Sequence, residues 1–136
     1  HFHAPAENEI DGQTYPLEGH FVYKTDNGKI TVVSVLYNYG DENQSLKQIW
    51  DKMPQAANTE TELPQAISLD DFYPEDKDYY NFEGSLTTPP CTEGVNWIVF
   101  KNQETVSKEQ VEKFTQTLGF ENNRPIQDTN GRQIKE

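Results

Sequence analysis

Residues Leu17 to Thr25 and Ile30 to Tyr37 alternate or carry β-branched side chains, and the turn sequence Asp26-Asn27-Gly28 separates them. That pattern commits the middle of the chain to an antiparallel hairpin, because Gly and Asn supply the turn while alternating side chains divide between two faces. Val95-Asn96-Trp97-Ile98-Val99-Phe100 is nearly all apolar and reads as a central strand, covered on both sides. Ser45 followed by Gln48, Ile49 and Trp50 opens a short helix that must stop before Pro54. Ser107 and Gln110 form a second capping box, and Val111, Phe114 and Leu118 make an apolar stripe ended by Gly119. Residues 54 to 83 hold three prolines, many acids and the aromatics Phe72, Tyr73, Tyr79, Tyr80 and Phe82, and read as a long irregular loop pinned by aromatic packing.

The chain has three histidines, His1, His3 and His20. On a strand, side chains two apart share a face, so His1 and His3 point the same way, as do Glu18, His20 and Val22. The intervening segment carries Pro5, Gly12 and Pro16. If it folds the two strands together antiparallel, three imidazoles converge and a fourth position is left for water. Three nitrogen donors with an open corner are the pattern of a catalytic zinc ion (Zn2+), whereas structural zinc sites are closed and rich in cysteine. Neutral imidazoles leave the full double charge of the ion to act on that water.

At 136 residues, the chain fits one domain with a moderate core. Acidic residues outnumber basic ones 23 to 11, giving a net charge of −12, which repels nucleic acid and anionic membranes. No run approaches the roughly 18 apolar residues of a membrane span. The first residue is His rather than Met and no signal-peptide pattern follows, so the chain is expected to be a processed product or a portion of a longer one. Its single cysteine, Cys91, is a buried small hydrophobe, a free thiol or half of a bridge to something else.

Gly84-Ser85-Leu86-Thr87-Thr88-Pro89-Pro90-Cys91 sets two threonines ahead of two prolines. Each proline locks its own dihedral and restricts the residue before it, so this loop can hold a hydroxyl in one place.

His-Phe-His, Ala6-Glu7, Leu17-Glu18-Gly19-His20, the Gly84 to Cys91 segment, Val95 to Val99 and Asn122-Asn123-Arg124-Pro125-Ile126-Gln127 together resemble the α-class carbonic anhydrases, especially the bacterial ones. The resemblance runs nearly end to end. It implies a mainly β, α+β fold with a central twisted, largely antiparallel sheet and a few short peripheral helices. It further implies zinc-dependent reversible hydration of carbon dioxide to bicarbonate and a proton. His1, His3 and His20 resemble the zinc ligands. Glu18 resembles the carboxylate that takes the free N–H of the third ligand, and Asn122 a further residue of that outer layer. Thr87 resembles the residue that receives a hydrogen bond from the attacking hydroxide and donates its own proton to Glu7, so that a lone pair is aimed at the substrate. Thr88 resembles the neighbour that contacts bicarbonate. Val22, Val32, Leu86, Val95 and Trp97 match the apolar wall of the carbon dioxide pocket.

The family's domain is longer. Residues 1 to 136 are therefore expected to be a single domain lacking an N-terminal segment that carries several strands, the usual proton-shuttle histidine and the cysteine that in many secreted members pairs with the counterpart of Cys91. The resemblance also implies a periplasmic or secreted bacterial protein, with a homodimer as a possible assembly. Phe82 and Asn8 stand where relatives typically carry Tyr and His. Two other readings compete. A cupin-like metalloenzyme would take Glu7 as a ligand beside His1, His3 and His20. A catalytically silent, carbonic anhydrase-related binding domain would keep the scaffold alone.

Overall fold

A computed structural model describes residues 1–136. The hairpin forms as the alternation requires. Strand β2 (Leu17–Lys24) pairs antiparallel with β3 (Ile30–Tyr39), from Leu17 opposite Tyr37 to Lys24 opposite Ile30. A two-residue strand β1 (Phe2–His3) adds antiparallel to the far side of β2. On the other side of β3 runs β5 (Glu93–Phe100), parallel to it, and β4 (Tyr79–Ser85) closes that edge antiparallel to β5. The order is β1-β2-β3-β5-β4, with a short β6 (Glu104–Val106) pairing parallel to the end of β3. The sheet is mixed, antiparallel in three of its five pairings. The apolar Val95–Phe100 run is interior, as its composition predicts.

Period two divides the core. Leu17, Val35, Tyr37 and Phe100 face one side, where helices α1 (Gln44–Trp50) and α2 (Lys108–Leu118) contribute Leu46, Trp50 and Val111. Val32, Leu36, Val95, Trp97 and Val99 face the other, in the same direction as Glu18 and His20. The helices thus cover one face, and the histidines belong to the opposite one.

Two expectations are corrected. The first helix is capped by Asn43, whose side chain accepts from Leu46 N at 3.0 Å; Ser45 lies inside the first turn and donates to Asp71 O at 2.7 Å. Residues 54 to 83 are not all loop, since Leu69–Phe72 is a 3-10 turn and Tyr79 onward is β4. An edge strand with mostly half-exposed residues needs no apolar alternation, and its pairing with β5 identifies it. The aromatic pinning is present: Phe21 packs on Phe72 and Tyr73, and Phe82 stacks on Trp97. Gly84 at the end of β4 lets the strand pass close to Trp97, since a Cβ there would lie 3.0 Å from the ring and press on it.

The capping box of α2 is complete. Ser107 Oγ accepts from Gln110 N at 3.2 Å, and Gln110 Oε1 accepts from Ser107 N at 3.1 Å; Gly119 closes the helix at φ +80°. Gln110 also exchanges hydrogen bonds with the Asn43 backbone, tying the starts of the two helices together. Ser107→Ala is expected to cost about 1 kcal/mol. A thermal melt should register this as a midpoint lowered by roughly 3–5 °C.

Candidate metal centre

The β1–β2 pairing does what the spacing of the histidines requires. His20 N donates to His1 O at 2.8 Å and His1 N donates to His20 O at 3.1 Å, which locks the two strands in register. Ring centroids of the three histidines lie 4.6 to 5.2 Å apart. One ring nitrogen from each lies within 4.8 Å of the others, a grouping that could hold one metal ion. The group contains no carboxylate and no thiolate.

The ring of His3 is fixed from behind. Its Nδ1 donates to Asn122 O at 2.9 Å, while Asn122 Oδ1 accepts from Ala4 N and Asn122 Nδ2 donates to Phe2 O. Asn122 therefore clamps both the ligand and the strand that carries it. With Nδ1 as donor, Nε2 keeps its lone pair. That Nε2 is buried, in a residue only 3% exposed, and has no partner in the protein. Burial lowers the pKa of His3, so the ring is neutral at neutral pH. A buried, unpartnered, neutral nitrogen facing two other imidazoles fits a divalent cation.

His20 is oriented by Glu18. Its Nε2 lies 2.9 Å from Glu18 Oε1, with the ring turned off the ideal N–H direction. Glu18 is fully buried and accepts from Glu7 N at 2.7 Å, Asn8 N at 2.9 Å, Asn8 Nδ2 at 2.6 Å and Ser34 Oγ at 2.5 Å. Burial pushes its carboxyl up, and that is the largest single influence. His20, Ser34 and Asn8 together outweigh it and hold the group ionised, down to about 2.

Glu7 Oε1 accepts from Arg124 N at 2.7 Å and lies 3.2 Å from His3 Nδ1, while Oε2 is buried without a partner. A cleft of about 340 Å³ is lined by Glu7 and Thr87 together with Trp97, Phe82 and Arg124. Thr87 is half-buried and Thr88 exposed at the start of a turn closed by Cys91 N donating to Thr88 O at 2.9 Å. Cys91 is a free thiol, half-buried, and so neither core nor bridged within this chain.

Of the expected apolar wall, Val32, Val95 and Trp97 are buried in one cluster and Leu86 packs against it. The His20 and Trp97 rings meet edge to face at 5.0 Å. Val22 shares a row with Val32 and Trp97 across three strands, yet is 49% exposed and stands outside that cluster. Sequence reasoning missed Ser34 and the Arg124 backbone. The signal for Ser34 was a polar residue on the apolar face of β3.

The family model for eukaryotic-type carbonic anhydrases matches residues 1–136. A carbonic anhydrase of Neisseria gonorrhoeae is 46% identical over 136 residues, all of this chain and 54% of that protein. One of Pectobacterium atrosepticum is 45% identical over 134 residues, 98% of this chain and 55% of its own length. The solved α-carbonic anhydrase of Thermovibrio ammonificans, in complex with sulfanilamide, superposes with a TM-score of 0.96 at 48% identity, covering 98% of this chain and 59% of that one. The chain spans about half the length of the curated relatives it matches.

Proposed function

Because this chain belongs to the eukaryotic-type carbonic anhydrase family, we propose that it carries the metal centre and much of the substrate pocket of an enzyme for the reversible hydration of carbon dioxide to bicarbonate and a proton. The observation that carries the reading is the buried, unpartnered His3 Nε2 beside His1 and His20, in a group without any anionic donor. His1, His3 and His20 would hold zinc, which when bound makes hydroxide available near neutral pH, as is established for carbonic anhydrases.

The chain's own residues do the rest. Asn122 O occupies His3 Nδ1, and Glu18 Oε1 stands 2.9 Å from His20 Nε2, so that each ligand would keep its other ring nitrogen as an electron-pair donor. Arg124 N engages Glu7 Oε1, and Oε2, which has no partner in the structure, would take the hydroxyl proton of Thr87, a residue of the same cleft. Thr87 can then only accept, which orients the attacking oxygen. Its backbone N–H would hold one carbon dioxide oxygen as charge develops there, and Thr88 would contact bicarbonate. Carbon dioxide is uncharged and accepts hydrogen bonds poorly, so the apolar cluster of Val32, Leu86, Val95 and Trp97, with Val22 at its exposed margin, suits it.

The reading extends to the whole protein. A segment of the relatives that this chain does not span would complete the domain and supply the proton-exporting group, since all three histidines here would be committed to metal. Cys91 is free to pair with a cysteine of that segment. The same reading gives a periplasmic or secreted location, with a homodimer as a possible assembly. Against a cupin-like site, Glu7 stands outside the metal-ligand cluster and its Oε1 is already engaged by Arg124 N.

The test is metal analysis with stopped-flow hydration of carbon dioxide on the zinc-loaded protein in its native chain. One zinc per chain and hydration abolished by a chelator are expected. Zinc without hydration would establish a silent binding domain, and no zinc would overturn the assignment.

A further inference from the structure

Strand β3 turns Val32, Ser34 and Leu36 toward the side of the sheet that carries Glu18 and His20. Two of these are apolar core. The third is a hydroxyl at a position with no solvent exposure. Leaving such a group unpaired costs about 1–3 kcal/mol, so its partner identifies its role. In the register of the sheet Ser34 stands opposite His20, but its hydroxyl donates to Glu18 Oε1 at 2.5 Å. That is the oxygen 2.9 Å from His20 Nε2. The other donors to this carboxylate, Glu7 N, Asn8 N and Asn8 Nδ2, all come from the loop between β1 and β2. Ser34 is the contribution of β3, which holds Glu18 from the sheet side.

We propose that Ser34 is a positioning residue for the third metal ligand, acting through Glu18: its hydroxyl holds Oε1 in place as an acceptor facing His20 Nε2. A hydroxyl has one proton to give, and here it is given to Oε1. Glu18 then meets His20 only as an acceptor, which directs the imidazole proton to Nε2 and leaves Nδ1 with its lone pair. Without the serine, Oε1 keeps the hydrogen bond from Asn8 Nδ2, at 2.6 Å on the loop side, and loses the donor that balances it from the sheet side, so it is drawn away from the ring. The inference rests on the zinc reading above.

The experiment measures the rate of zinc release to an excess of a chromophoric chelator from zinc-loaded wild-type protein, Ser34→Ala, Ser34→Cys, Glu18→Ala and the Ser34→Ala/Glu18→Ala double variant. Cysteine keeps the volume and weakens the donor, so it serves if alanine fails to fold. Loss of an outer-layer partner typically weakens metal binding 10–100-fold, and release about 10-fold faster is expected for both Ser34 variants. Ser34→Ala should add nothing once Glu18 is alanine, and it should shift the visible spectrum of the cobalt-substituted protein. Release within about two-fold of wild type, or an equal effect of Ser34→Ala with and without Glu18, overturns the inference. Wild-type protein that takes up no zinc overturns the zinc reading and this inference with it.

Discussion

His3→Asn is expected to remove zinc while leaving the fold in place. Asparagine can set its amide nitrogen near the position of imidazole Nδ1 and so keep the hydrogen bond to Asn122 O, which measures 2.9 Å in the structure. It has nothing at the position of Nε2, the buried nitrogen that has no protein partner. A complete zinc site is worth on the order of 10–16 kcal/mol, so losing one of three protein donors should weaken binding by at least ~10³-fold. Hydration activity should disappear in parallel. His3→Ala should lose zinc equally, and it also strips the donor from Asn122 O, an added destabilisation of about 1–3 kcal/mol visible as a lower melting temperature. Chelator titration with circular dichroism separates the two effects. An asparagine variant that retained stoichiometric zinc would remove His3 from the ligand set.

Glu7→Gln is expected to leave zinc bound and to depress hydration by roughly 10²-fold, the order of loss that accompanies a misaimed reacting group. The glutamine carbonyl can stay on Arg124 N, which the Glu7 carboxylate now accepts at 2.7 Å. The amide nitrogen then replaces Oε2. A donor stands where a buried acceptor stood, and the Thr87 hydroxyl must turn its lone pair toward Glu7 and its proton toward the site. The attacking oxygen loses the acceptor that aims it, while the three imidazoles are untouched. Stopped-flow rates alongside zinc content decide the matter: unchanged hydration would dismiss the Glu7–Thr87 relay, and a loss that merely tracked zinc content would make Glu7 a support of the metal centre.

Some features were readable along the chain, and others were not, for physical reasons. The hairpin of β2 and β3 came from alternation and a Gly turn, α2 from its capping box and Gly119, and the interior position of β5 from a run of apolar side chains. Strand β4 was invisible because an edge strand of mostly half-exposed residues has no alternating burial pattern to display. The start of α1 was misplaced by two residues because Asn43 and Ser45 are both good caps, and the hydrogen bond to Leu46 N decides between them. Val22 lies on the face of Glu18 and His20, as alternation requires, yet its exposure depends on what lies beside β2 rather than on its own neighbours in sequence.

Alternation, capping and turn formation act over a handful of residues. Their outcome is therefore written in residue order, and so was the face on which His1, His3 and His20 would lie. The meeting of Glu18 with Ser34, of Glu7 with Arg124 and of His3 with Asn122 joins residues 16, 117 and 119 positions apart. Those contacts exist because strand register and the return of the C-terminal segment bring donors within about 3 Å of acceptors, a distance no local preference controls. Residue order supplied the imidazoles; the packed structure supplied the partners that determine which nitrogen His3 and His20 offer.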